Sequence, residues 1–443
     1  MKKLFMPLMF FLLALSYTGN IKASSSLVNL DVLTKVLENG LHIYLVNVKY
    51  IPAVNVSVYY NVGSKDENDT ERGLSHFLEH MMFKTTKSLK AGEYAKLVRN
   101  NGGYSNAATS FDYTYYYSTL PSDKLELALK LEADRMVNLT LDENEFNSEK
   151  KVVIEELRQR YENSPVGYLW TNFIQDAYKV SNYGKPVIGT MKSLIKLNTS
   201  DMRQYYRRFY SPNNAHLIVV GNFDKSNAYA LIDKYFKNLK RQNIGRPLFT
   251  EEPLQTKEKR FLYKKRSQLS HGMIYFNGPA ALDPDSSPLE MIELILFSGR
   301  SARLVRKLVI EKGLAARISG GQYLRRHLSP FAITFSARQK ELLPKIEEAV
   351  YAELEKFKSG NFTQYELNKA KNAFLSSYIK SLDTIKSISE TIGSGAMLGN
   401  YKFYTNLRIK RILSATKEDL IRVAKKYFKK TNRNVAYLIP KQR

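Results

Sequence analysis

At 443 residues the chain is too long for one ordinary hydrophobic core, so two or three domains are expected. It contains no cysteine, which excludes a thiolate metal site, a catalytic thiol and a disulfide framework and leaves His, Asp and Glu to hold any metal. With 44% hydrophobic and 25% charged residues the composition is globular, and the formal charge of +26 suits anionic partners or acidic substrates; no compact Arg/Lys run or RNA-binding signature is present, so no nucleic-acid partner is expected.

The chain opens with Met1-Lys2-Lys3 and an apolar run from Leu4 to Leu15, and Ile21-Lys22-Ala23 precedes a Ser run. This is the pattern of a secretory signal over residues 1–23, with an uncleaved anchor as the alternative. No other stretch approaches the length of a membrane span, so no stable membrane insertion is expected after cleavage. The expected location is periplasmic or secreted, in a bacterium. Thr34 to Val46 alternates around Asn39-Gly40, which predicts a hairpin. Val54, Val56, Val58 and Tyr60 share one face of a predicted strand, and Gly63 to Glu67 reads as a polar loop.

His76-Phe77-Leu78-Glu79-His80 is the chemically informative stretch. On a helix, i and i+4 share a face and i+3 lies beside them, so two imidazoles and a carboxylate surround one point. This is the H-x-x-E-H order associated with zinc hydrolysis. Asn101 to Thr109 is rich in glycine and small residues and reads as an exposed strand edge or an ordinary hairpin; an extended peptide could add main-chain hydrogen bonds to such an edge. An aromatic strand follows from Asp112. Leu125 to Met136 and Asp142 to Glu162 are helical by period. The second carries Glu149, Glu155 and Glu156. A zinc hydrolase needs a third protein ligand, and Glu149 with Glu156, seven apart on one face, form a consistent pair, while spacing alone leaves Glu155 open.

Together these residues resemble the pitrilysin/insulinase family of zinc peptidases, in its two-domain branch with mitochondrial processing peptidase. The resemblance implies one Zn2+ per chain held by His76, His80 and Glu156, with Glu79 as the base and Glu149 as a secondary acidic residue. It places Asn106 and Ala107 on the substrate-binding edge. Tyr210 to Asn222 resembles the close of the family's first domain. It also implies an α+β fold of two similar halves, each a mostly antiparallel mixed sheet flanked by helices: a metal-bearing domain over 24–240, a linker over 241–260, and a second domain without the metal motif over 261–443. A weak echo supports the repeat: Tyr427 to Asn434 before Val435–Ile439 parallels Tyr210 to Ala215 before Leu217–Val220.

One departure matters. Lone-acting family members carry an Arg four residues before the glycine matching Gly313 and a Tyr three after it, where this chain has Val309 and Ala316. Arg306, Arg317 and Tyr323 are near but out of register. The expectation is therefore a metalloendopeptidase acting on peptides or small unfolded polypeptides, the metal-bearing subunit of a heterodimer whose partner supplies the missing Arg and Tyr; the partner expected is a similar two-domain chain, in a hetero- or homodimer. The alternative is a non-catalytic or weakly active binding or assembly subunit of a peptidase-like complex.

Overall fold

The Asn39-Gly40 turn, with Gly40 at φ 88°, returns the chain so that β1 (Leu33–Val36) pairs antiparallel with β2 (His42–Asn47). The computed structural model describes residues 30–441, so the signal-peptide reading of 1–23 lies outside it. Four further strands complete the first sheet: β3 (Ala53–Tyr60), β4 (Tyr104–Thr109), β5 (Thr114–Pro121) and β6 (Ala215–Gly221). Its order is β1-β2-β6-β3-β5-β4, which leaves β4 at an edge. The second sheet comprises β7 (Lys259–Lys265), β8 (Ser270–Phe276), β9 (Arg317–Gln322), β10 (Phe331–Ala337) and β11 (Arg433–Pro440), ordered β7-β11-β8-β10-β9.

The two sheets have the same wiring once β1 is set aside. The pairs β2–β6 and β7–β11 are parallel, and every other pairing is antiparallel. The weak sequence echo falls on β6 and β11, each entered through a short 3-10 turn, Pro212–Asn214 or Lys430–Asn432. β4 and β9 are thus counterparts at the free edges of the two sheets.

One face of the first sheet, with Val54, Val56, Val58 and Tyr60, packs on the helices Leu74–Met81, Leu125–Val137, Thr199–Phe209 and Lys225–Phe236. Its other face is covered by a helix from the far half: Ile385, Ile388 and Ile392 of Ile385–Leu398 pack on Tyr44, Val46, Tyr59 and Ile218. The exchange is reciprocal. Leu169, Phe173 and Ile174 of the helix Pro165–Ala177 pack on Met273, Tyr275 and Ala332 of the second sheet. Packing therefore crosses the linker in both directions. Gly393 marks how close the approach is, because a Cβ there would collide with the Tyr59 ring. Gly393→Val is expected to cost about 1–3 kcal/mol through overpacking, read as a lower urea midpoint.

Residues 240–258 carry no helix or strand, yet they are pinned to both halves. Arg246 donates to Asn214 Oδ1 at 2.7 Å, Phe249 stacks on His327 at 4.0 Å, and Glu252 accepts from the backbone N–H groups of Lys179, Val180 and Ser181. β7 begins at Lys259, inside the stretch expected as linker.

In the second half, Glu366 closes a capping box with Thr363 and takes a two-point contact from Arg303, Nε–Oε1 2.6 Å and NH2–Oε2 2.8 Å. The Arg303 hydrogen bonds hold its carboxyl down at about 2. A depressed carboxylate stabilises the fold above its unfolded pKa of about 4.3, and that contribution is lost as pH falls towards 2. The deficit of Glu366→Gln in melting temperature is therefore expected to be full at pH 7 and to shrink between about pH 4.5 and 2, as followed by circular dichroism.

Candidate metal centre

Leu74, Phe77, Leu78 and Met81 bury one side of the helix Leu74–Met81, which sets His76, Glu79 and His80 on the remaining side. The helix start is fixed by a carboxylate. Glu67 accepts from Gly73 N at 2.9 Å and Ser75 N at 2.8 Å, satisfying donors that a first turn otherwise leaves open. This corrects the polar-loop reading of Gly63 to Glu67: Ser64, Lys65, Asp66 and Glu67 are all buried. They tolerate burial because Lys65 Nζ pairs with Asp66 at 2.8 Å and Glu67 is engaged by the helix.

The facing helix, Glu143–Leu157, is capped by Asp142, whose side chain accepts from Asn144 N and Glu145 N. Phe146 packs on Phe77 with ring centroids 4.6 Å apart, and Val153 and Leu157 extend the buried stripe. Glu149 and Glu156 flank that stripe and point at the motif helix. Glu155 points away, is more than half exposed and pairs with Arg158, so the structure brings Glu156 and not Glu155 to the centre.

His76, His80 and Glu156 each offer a ligand atom, and these atoms lie within 4.8 Å of one another. His80 Nε2 is 3.3 Å from Glu156 Oε2, and His76 Nε2 is 3.7 Å from Glu156 Oε1. Behind His80, Nδ1 contacts Glu149 Oε1 at 2.8 Å, and Lys84 Nζ holds the other Glu149 oxygen at 2.6 Å. Arg160 contacts Glu156 Oε1 at 2.8 Å. Burial lowers His76 to about 4, reinforced by the neighbouring His80. For His80 burial works in the same direction, but the hydrogen bonds to Glu149 and Glu156 outweigh it and raise the ring to about 9. The hydrogen bond to His80, with help from Lys84, lowers Glu149 to about 2. Burial raises Glu79, although Thr109 Oγ1 donates to its Oε2 at 2.6 Å.

The donor set fits a divalent cation. Among the described residues His76 Nδ1 is buried without a hydrogen-bond partner, and its Nε2, 3.7 Å from Glu156 Oε1, lies beyond hydrogen-bond reach of it. A cation at the common point gives Nε2 a partner and replaces the proton on His80 as the counter-charge to Glu156. A carboxylate on the far nitrogen of a metal-binding imidazole fixes its tautomer and ring orientation. Glu149→Gln is therefore expected to weaken zinc affinity about 10–100-fold, as measured by competition with a chromogenic chelator.

The sequence matches the insulinase (peptidase family M16) pattern over residues 42–191 and the M16 inactive-domain pattern over residues 196–374. The chain is 32% identical over 408 residues to the zinc protease PqqE of Helicobacter pylori, covering 91% of this chain and 92% of that protein. The chain belongs to the insulinase family of peptidases. It is also 29% identical over 366 residues to a Bacillus subtilis protein named uncharacterized zinc protease YmxG, covering 82% of this chain and 88% of that one. A crystal structure of a Helicobacter pylori protease superposes with a TM-score of 0.89 at 31% identity, covering 93% of this chain and all of that one. An M16 inactive-domain structure from Pseudomonas fluorescens shares the fold, with a TM-score of 0.84 at 18% identity over 93% of this chain and 98% of that one.

Within this insulinase-family fold, Asn106 and Ala107 lie on the free edge strand β4, with side chains on opposite faces as the strand period requires. Ala107 packs towards the core beneath the motif helix, on the same face as Thr109. The Asn106 side chain is exposed and accepts from the N–H of Ala107. No motif marks Thr109 or Lys84 as part of the site, although simple spacing points to both: Thr109 is two beyond Ala107, and Lys84 is four beyond His80. Val309 and Ala316 flank the exposed Gly313 turn before β9. Arg317 and Tyr323 line one cavity together, whereas Arg306 pairs with Glu311 elsewhere.

Proposed function

We propose that this chain is a zinc-dependent metalloendopeptidase of peptides or small unfolded polypeptides. It works in the periplasm or outside the cell as the metal-bearing subunit of a heterodimer with a similar two-domain chain that supplies the Arg and Tyr. The observation that carries the reading is the convergence of His76, His80 and Glu156 on one point with Glu79 beside it. Among the described residues no helix is long and apolar enough to cross a membrane.

Bound there, Zn2+ supplies Lewis acidity towards a carbonyl oxygen and lowers the pKa of water. His76, His80 and Glu156 would hold it. Glu79 has Oε2 occupied by Thr109, which leaves Oε1 to accept the proton of the attacking water and return it to the leaving amine. Burial makes Glu79 a stronger base than a solvated carboxylate, in the direction that general-base work near neutral pH requires. The unpaired backbone groups of β4 offer an extended substrate a strand to pair with, starting beside Glu79.

The reading that competes is a non-catalytic or weakly active binding or assembly subunit, favoured by Val309 and Ala316 at the positions where the family resemblance leads one to expect Arg and Tyr. Cleavage of internally quenched peptides decides between them, with and without a chelator and with and without a similar chain that carries the Arg/Tyr pair. Chelator-sensitive cleavage supports the enzyme, and its dependence on the added chain supports the dimer. Full-rate cleavage by the monomer overturns the dimer. No cleavage under any condition overturns the enzyme.

A further inference from the structure

The helix Pro165–Ala177 does not cover the whole outer face of the second sheet. Where it packs, the face is apolar: Tyr275, Ala332 and Ala436. Towards its N-terminal turn the face becomes polar and a cavity of about 500 Å3 opens between helix and sheet. Strand register sets its floor. Arg317, Ser336 and His271 lie opposite one another across β9, β10 and β8, and Ser319, Thr334 and Met273 form the next row on the same face. The floor is rigid: His271 Nδ1 bonds Ser336 Oγ at 2.8 Å, and Ser319 Oγ bonds Thr334 Oγ1 at 2.9 Å. The walls are aromatic, with Tyr161, Trp170 and Tyr323.

Two features give the cavity a sign. Arg317 is exposed and forms no ion pair or side-chain hydrogen bond among the described residues, whereas Arg303 and Arg306, which line another cavity, pair with Glu366 and Glu311. Among the described residues no Asp or Glu lines the cavity. The wall that begins at Tyr161 is five residues beyond Glu156 on the same helical run, roughly 7 Å along its axis. That is the span of about two residues of extended peptide.

We propose that this cavity is a substrate-selecting subsite for a peptide carboxylate, held by the Arg317 guanidinium with its carbon chain against the aromatic walls. The inference rests on the peptidase reading and adds the substrate class: peptides with an acidic residue or a free C-terminus near the scissile bond. The chain's charge of +26 draws the same class of peptide towards it. Arg317 is a specificity residue in this scheme. It takes no part in proton transfer or metal binding.

The test uses matched Ala/Ser peptides carrying one Glu or Gln scanned along the chain, each with a free or amidated C-terminus. Binding is measured by fluorescence anisotropy on zinc-loaded Glu79→Gln protein, and turnover is measured on the wild type. The carboxylate is expected to tighten binding about tenfold at one position and to act through KM and not kcat. Arg317→Gln is expected to remove the preference, Arg317→Glu to turn it towards Lys peptides, and Arg306→Gln to change nothing. A position-specific Glu effect identifies a side-chain carboxylate, and a free-acid effect identifies the C-terminus. Equal binding of Glu and Gln peptides with no free-acid effect, or a preference that survives Arg317→Gln, overturns the proposal. Arg317-dependent binding without any wild-type cleavage, with or without a similar chain that carries the Arg/Tyr pair, leaves the subsite standing and removes the peptidase reading.

Discussion

Glu79→Gln is expected to lower kcat about 10²–10⁴-fold while zinc content stays at one per chain, as measured by single-turnover cleavage alongside metal analysis. The substitution keeps the shape and the Thr109 contact but removes the group that can take a proton. Glu79 reaches towards the edge strand and is not among the three clustered ligands, which is why metal and activity should part company. Activity retained in Glu79→Gln would move the base elsewhere. Zinc lost from it would place Glu79 among the ligands.

Glu156→Gln is expected to strip the metal. It removes the one carboxylate among the described residues that both imidazoles face, so the loss of affinity should exceed the 10–100-fold expected from the outer partner Glu149. Zinc measured after dialysis against a mild chelator should fall to background and activity with it. Glu155→Gln should change neither, because Glu155 points away and pairs with Arg158. If instead Glu155→Gln lost metal, the facing of the two helices would be wrong.

Much of this centre was written locally. The His76 to His80 spacing predicts convergence because a helix repeats every 3.6 residues, and Asp142 announces the start of the helix that brings Glu149 and Glu156. Spacing could not choose between Glu155 and Glu156, since the choice depends on Phe146 locking against Phe77 across the two helices. The burial of Lys65 and Asp66 was also hidden, because their charges mark them as surface and only the paired geometry reverses that. The cavity floor was beyond sequence reasoning for a different reason. His271, Arg317 and Ser336 come from three strands and meet only through register. An Ile385, Ile388, Ile392 stripe signals an amphipathic helix but carries no address for the sheet it covers.

That last helix has a consequence for the order in which the protein can be made. The outer face of the first sheet, with Tyr44, Val46, Tyr59 and Ile218, is complete once β6 has left the ribosome, yet its cover ends only at Leu398. A chain that emerges N-terminus first, from the ribosome or across a membrane, carries that bare, tyrosine-rich face until the helix ending at Leu398 has followed. A chaperone that shields unfinished sheets during this interval should raise the yield of folded protein. A chain terminated at the linker should aggregate, although its own sheet and metal-binding residues are all present.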